Sequence, residues 1–297
     1  MEVCVISAAP TGLKAKLKGA FGARKYSGPG TVWKYLQDNI SDYREVLVDW
    51  TWIVAGDLTL LSEAERKLLA RKNLLLGPNI HFENAEIAEI VQGWDKRKVI
   101  VPSKWVREYF TSTGIEEEKN LVVWAATVNP DAWRPIENSR EFILIYLKNT
   151  SKETLVENLV NHLNSINQKY SILTYGQHTT KLFKSELQRS KAAIWIGGSE
   201  SQGLALLEAW FMNVPTLVLK CNVFKDAANL EFPASSAPYL ATTCGEFFSD
   251  DQNIGALFDS FSSNLDKYAP RAWALENFSH AKVLANLVDS VTINYFD

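Results

Sequence analysis

The segment Ile194-Trp195-Ile196-Gly197-Gly198-Ser199-Glu200-Ser201-Gln202-Gly203-Leu204-Ala205-Leu206-Leu207-Glu208-Ala209-Trp210 carries the strongest chemical pattern in the chain. Its apolar start reads as a buried strand that ends in a Gly-Gly turn. A polar loop follows and opens a helix near Gln202 or Gly203. The free N–H groups of such a helix start, with the positive end of its dipole, suit a phosphate. Gly203 lets a ligand approach the backbone closely. Glu200 lies in the loop, where a carboxylate can accept hydrogen bonds from hydroxyls. Glu208 lies one to two turns into the helix and can hold a second polyol, such as a ribose. Two hydroxyl acceptors flanking a phosphate nest are what a sugar–diphosphate–nucleoside requires.

A loop of this kind needs a buried strand before it and a helix after it, and short apolar runs alternate with amphipathic stretches along the whole chain. In the first half the spacing predicts strands at Val3–Ser7, Val46–Trp52, Asn73–Leu76, Lys98–Val101 and Leu121–Trp124, with helical stretches at Thr31–Asn39 and Ser62–Arg71. Ser62 with Glu65 matches a capping box, and Pro102-Ser103-Lys104-Trp105 reads as a helix entered through a serine cap. Asn129–Arg140, with two prolines, interrupts both periodicities and is the predicted linker. A second series follows, with strands at Phe142–Leu147, Ser171–Tyr175, Ala192–Ile196 and Thr216–Leu219, and a long helix over Lys152–Asn167. From Arg271 the chain reads as helical. The expected fold is α/β, with two Rossmann-like domains facing across a cleft. The expected boundaries are 1–130, 131–270 and a C-terminal helical segment 271–297.

The chain has 297 residues, 46% of them hydrophobic and 22% charged, which is globular material with enough apolar content for real cores. A net charge of -3 argues against a protein that coats nucleic acid. The three cysteines, Cys4, Cys221 and Cys244, are far apart and lack C-x-x-C spacing, as expected of reduced thiols in a cytoplasmic protein. Four histidines without H-E-x-x-H predict no metal site. The apolar stretch near Met1 is short and carries Glu2, unlike a secretory signal, and no run is long enough to span a membrane. Ten tryptophans are a heavy load. Trp52, Trp124, Trp195, Trp33, Trp105 and Trp210 fit strands and apolar helix faces, whereas Trp50, Trp94, Trp133 and Trp273 lie where an indole could stack on a sugar.

Glu200 to Glu208 resembles the E-x7-E motif of GT4-type retaining glycosyltransferases of GT-B fold, and Asn213-Val214-Pro215-Thr216 resembles the segment that follows it there. Val101–Trp105 resembles the element that closes the family's N-terminal domain. Trp124–Asp131 resembles its interdomain linker, with Thr127 where the family has glycine. At this length the chain would be a pared-down member. The resemblance implies that Glu200 binds the donor sugar, that the amides of Ser201, Gln202, Gly203 and Leu204 bind phosphate, and that Glu208 holds the ribose. It also implies basic residues after the first strand of the second domain, which points to Lys148 and Lys152, although the family's Gly-Arg pair is absent. Gly28 and Gly30 would form its glycine-rich loop, and Tyr175 and Gly176 its loop near the base. His81 does not match the family's functional histidine and reads as a loop residue. The C-terminal helix would cross back onto the first domain.

The function so implied is transfer of a sugar from a nucleoside-diphosphate sugar, UDP- or GDP-linked, to a hydroxyl acceptor on a glycan, glycoconjugate or lipid-linked sugar. The donor is a substrate, so no cofactor is expected, and neither a metal nor a nucleic-acid partner. Glu200 and Lys148 are the expected catalytic pair, Lys148 stabilising the departing diphosphate. Lys14, Lys16, Lys18, Arg24 and Lys25 form either a solvated basic face or a peripheral membrane contact. A nucleotide-sugar epimerase and a catalytically silent nucleotide-sugar-binding scaffold are the alternatives. A dinucleotide dehydrogenase is disfavoured, because no G-x-G-x-x-G follows Val3–Ser7.

Overall fold

The computed structural model describes residues 4–7, 28–136, 140–148 and 151–292, and the basic cluster Lys14, Lys16, Lys18, Arg24 and Lys25 lies outside them. The chain divides into two compact units. The first contains β1 (Cys4–Ser7), α1 (Gly28–Asp38) from Val32 onward, α2 (Ile40–Val46), β2 (Trp50–Ala55), α3 (Glu63–Leu69), β3 (Asn73–Asn79), α4 (Ala85–Gln92), β4 (Arg97–Val101), α5 (Lys104–Ser112) and β5 (Leu121–Val123). Its sheet runs β1-β2-β3-β4-β5, parallel from β2 to β5. β1 departs from the expected parallel arrangement and pairs antiparallel with β2. An antiparallel edge strand is a common variation of such sheets, and it needs no right-handed crossover.

Local chemistry explains the element ends. Ser62 Oγ accepts the Glu65 amide (3.3 Å) while Glu65 Oε2 accepts the Ser62 amide (2.8 Å), so the predicted capping box starts α3. β2 begins four residues later than the periodicity suggests, because Ile40–Val46 winds into α2. That helix buries Tyr43 edge-on against Trp52 and Trp124, with its hydroxyl 2.9 Å from that of Tyr35.

The second unit spans Thr127–His280 apart from a short N-terminal contribution. It contains β6 (Phe142–Leu147), α6 (Glu153–Ser165), β7 (Tyr170–Thr174), α7 (Thr180–Arg189), β8 (Ser190–Ile196), α8 (Leu204–Phe211), β9 (Thr216–Leu219), β10 (Val223–Lys225), β11 (Glu231–Pro233), β12 (Gly245–Phe248), α9 (Ile254–Ser262) and α10 (Pro270–Phe278). The main sheet runs β12-β9-β8-β6-β7 and all its strands are parallel. Strand order therefore reverses between β6 and β8, which makes the gap beyond their carboxyl ends the topological switch point. β6 alternates across the sheet: Ile143 and Ile145 join α6 and α9 in one core, while Tyr146 stacks on Trp195 and Phe183 on the other face. The last helix, α11 (His280–Thr292), belongs to the first unit from Ala281 onward, and its Val283 carbonyl accepts the Trp124 indole N–H at 3.1 Å.

Two of the tryptophans expected to be able to stack on sugars are core residues instead. Trp94 is 2% exposed and donates to the Arg66 carbonyl; Trp133 is 7% exposed and packs edge-on against Phe183. Trp273 lies edge-on against Trp210.

Candidate functional site

The site is built in the second unit, around α8. All eight residues of this helix are buried, so its terminal backbone groups need partners from the protein or a ligand. At the C-terminal end two arginines serve: Arg140 donates to the Met212 (2.8 Å) and Asn213 (3.2 Å) carbonyls, and Arg271 to that of Phe211. Cations there also complement the helix dipole. At the N-terminal end Gly203, which has no side chain to cap with, opens the helix in the left-handed region (φ 84°, ψ 49°). A Cβ at Gly203 would meet Leu206 Cδ1 at 3.2 Å as well as forcing that backbone strain.

The loop ahead of Gly203 carries Glu200, and Lys148 follows β6 directly. Lys148 donates its amide to the Ile196 carbonyl (2.8 Å), extending the β6–β8 pairing past the strand ends. Its ammonium then lies 2.5 Å from Glu200 Oε1, the two side chains being 22% and 13% exposed. Gly197 makes room, since a Cβ there would press on Lys148 Cβ at 3.3 Å. The ammonium also lies 4.4 Å from the centre of the Tyr175 ring, a cation–π contact. Burial pushes the Glu200 carboxyl above its ordinary value, with Lys148 pulling the other way. The Glu200 amide donates to the Ser235 carbonyl at 2.8 Å, which ties this loop to the segment leaving the β10–β11 hairpin.

Beneath the pair lies a polar layer that the sequence pattern did not single out. Tyr146 is buried on β6, and its hydroxyl is pushed up first by burial and then by the charges of Glu208, Tyr175 and Glu200. With its proton on Nδ1, His178 donates to the Thr179 carbonyl (3.2 Å) and accepts from the Tyr146 hydroxyl at Nε2 (3.1 Å). His178 is 5% exposed, so the turn after β7 buries its ring. The only sequence cue was its position after Tyr175-Gly176, where Gly176 turns the chain at φ 77°.

The structure thus brings Lys148, Glu200 and Tyr175 into direct contact, with the charge of Glu208 felt at Tyr146 beside that of Glu200. Gln202, Leu204 and Glu208 are buried (8%, 9% and 1% exposed) and Ser201 is exposed. Lys152 goes elsewhere. It pairs with Asp250 at 2.5 Å and lines a separate cleft of about 620 Å³ between the starts of α6 and α9. Gly28 and Gly30 form the first turn of α1 rather than an open loop. Among the described residues no group of three or more His, Cys, Asp and Glu stands ready for a metal ion, and no helix is long and apolar enough to cross a membrane.

Two Rossmann-like units, the second with its strand reversal at a polar, glycine-lined loop, define the α/β architecture of GT-B glycosyltransferases, and solved structures of that class share the fold. A glycosyltransferase from Rickettsia africae ESF-5 matches with a TM-score of 0.58 at 13% identity, over 92% of this chain and 84% of that one. Anabaena Alr3699/HepE, solved with UDP and glucose, matches with a TM-score of 0.54 at 10% identity, over 88% and 81%. The lipopolysaccharide outer core galactosyltransferase WaaB matches with a TM-score of 0.52 at 15% identity, over 88% and 79%. In sequence, no family profile and no curated protein matches the chain.

Proposed function

We propose that the protein is a retaining, GT4-like glycosyltransferase that moves a sugar from a nucleoside-diphosphate donor to an acceptor hydroxyl without a metal ion. The observation that carries this reading is the Lys148–Glu200 pair, held at the β6/β8 switch point in the loop that leads through Gly203 into α8. The first-turn amides of α8, with Ser201, Gln202 and Gly203, receive the diphosphate. Lys148 turns from Glu200 to the β-phosphate and neutralises charge as the bond from the anomeric carbon to the leaving oxygen breaks. Glu200, released, accepts hydrogen bonds from the sugar hydroxyls, and Glu208 holds the ribose. The acceptor oxygen bonds to the anomeric carbon and its proton passes to the departing phosphate. Tyr175 flanks the donor on the open side of the site.

Nucleoside-diphosphate sugars are the natural test ligands, and the UDP and glucose bound by the Anabaena neighbour make UDP-glucose the first choice. Thermal unfolding is followed with UDP-, GDP-, ADP- and dTDP-sugars, because a ligand that binds only the native state raises the melting temperature. One selective donor is expected, and Glu208→Ala should weaken its binding about tenfold or more in calorimetry. No stabilisation by any of the four, or an unchanged affinity in Glu208→Ala, refutes the assignment.

A further inference from the structure

We infer that the cleft between the starts of α6 and α9 binds a neutral sugar, at a place separate from the Lys148–Glu200 site. Both helices leave the sheet at its carboxyl edge, α6 after β6 and α9 after β12, and ligands of open α/β sheets gather at that edge. The cleft has a volume of about 620 Å³, within the range of small-molecule sites. One wall is a stripe of α6. Thr154, Asn158 and His162 recur at every fourth position and share one helix face. The adjoining stripe of Leu155, Leu159 and Leu163 goes into the core. The helix is thus anchored by its apolar side and offers polar groups to the cleft.

The other wall is the loop from β12 into α9, and its side chains are held in place. Gln252 Oε1 accepts the Ser249 amide (2.8 Å) and Asn253 Oδ1 accepts the Ala256 amide (3.1 Å), which leaves each NH2 group as an oriented donor. The Lys152 ammonium lies 2.5 Å from Asp250 Oδ2 and holds that carboxyl below its ordinary value, so it stays an ionised acceptor. Gly255 lets the two helices close at the far end, since a Cβ there would meet His162 Nδ1 at 2.7 Å.

This lining selects the class of ligand. Lys152 and His162 are both engaged by carboxylates, those of Asp250 and Asp259, and Asp251 adds a further negative charge, which disfavours an anion. Among the described residues no three His, Cys, Asp and Glu side chains gather for a metal ion. Leu155 and Ile254 belong to the core below, so little apolar surface is offered. A hydroxyl donates and accepts at once. Fixed amide donors beside a fixed carboxylate acceptor answer both needs, and neighbouring hydroxyls on a sugar ring present them side by side. That the sugar belongs to the acceptor of the transfer rests on the reading above; the site itself does not.

The test titrates glucose, galactose, N-acetylglucosamine, maltose and lactose into the full chain and follows the amide resonances of Thr154, Gln252, Asn253 and Gly255. One of these sugars is expected to shift them to saturation and to outdo its epimer, because fixed donors and acceptors discriminate a single hydroxyl. Asn158→Trp, at an exposed position, fills the cleft and should abolish the shifts. Asp250→Asn keeps the shape, removes the charge and should weaken binding about tenfold. Both variants should melt close to the wild-type temperature, since Asn158 and Asp250 are exposed. Shifts that do not saturate, no shift with any of the sugars, or undiminished binding in Asn158→Trp overturns the inference. Sodium phosphate shifting these amides where the sugars do not would make the cleft an anion site and overturn it too. Nucleotide sugars are titrated separately and read at the Gly203 and Leu204 amides; their failure to bind there would refute the transfer reading while leaving the sugar result standing.

Discussion

Lys148→Met removes the cation of the Lys148–Glu200 pair while keeping most of the side chain's length. The charges are 2.5 Å apart and the side chains 22% and 13% exposed, so most of their water is already gone. Deleting one partner of a fully buried pair costs about 3–5 kcal/mol, and the residual exposure reduces the expectation here to about 2–3 kcal/mol. For a unit of this size that lowers the melting temperature by about 4–12 °C. The loss should depend on pH. Burial holds the Glu200 carboxyl above its ordinary value against the pull of Lys148, and without Lys148 it rises further. A carboxyl raised in the native state binds more protons there than in the unfolded chain. Stability then falls as pH climbs from the ordinary glutamate value of about 4.3 through the raised native one. The deficit of Lys148→Met should therefore be smaller near pH ~5 than near pH ~8. Denaturant unfolding of wild type, Lys148→Met and Lys148→Met/Glu200→Gln at both pH values checks this. The double variant should regain most of the lost stability and lose the pH dependence. An equal deficit at both pH values would refute the reasoning, because Glu200 would then not be the buried charge left behind.

Three further outcomes follow from named contacts. Gly203→Ala, at φ 84° and with Leu206 Cδ1 3.2 Å from the added Cβ, should cost about 1–2 kcal/mol in chemical unfolding and weaken nucleoside-diphosphate binding as the first turn of α8 shifts. Ser236 Oγ donates to the Leu219 carbonyl (2.7 Å) and accepts the Cys221 amide (3.1 Å), pinning the segment whose Ser235 carbonyl holds the Glu200 amide. Calorimetry on Ser236→Ala should accordingly show a larger loss for a nucleotide sugar than for the bare nucleoside diphosphate. In the first unit, burial raises the Glu116 carboxyl, but bonds from Arg97, Asn120 and the Glu117 amide outweigh it and hold the group below its ordinary value. That stabilisation is present above the ordinary carboxylate range and is lost as pH falls through the lowered native value. Arg97→Met should therefore move the acid-unfolding midpoint to higher pH; an unmoved midpoint counts against the pair.

Much of the fold was legible because it rests on local rules. The capping box at Ser62, the apolar runs of β3 to β6 and β8, and the helix after Gly203 follow from periodicity and end chemistry over a few residues; Ser103 does stand at the start of α5, but without the expected side-chain cap bond. The two three-residue strands of the β10–β11 hairpin were not legible, since so short a stretch shows no period. The antiparallel edge strand β1 was missed because pairing direction leaves no mark in a four-residue run. Trp94 and Trp133 sit near turns in the sequence yet pack into cores.

The proposed site divides along the same line. Residue types and spacing within one segment already set Glu200, Gly203 and Glu208 on the loop, cap and body of one helix, because strand end, turn and helix cap are consecutive in the chain. That Lys148 would meet Glu200 while Lys152, four residues later, would turn to Asp250 was decided by tertiary structure alone. The reason is strand order. Placing β6 beside β8 sets the end of one against the loop of the other, and α6 carries the following residues toward α9. Local periodicity records which residues lie on a strand, whereas the choice of its neighbour is made by long-range packing of the whole sheet.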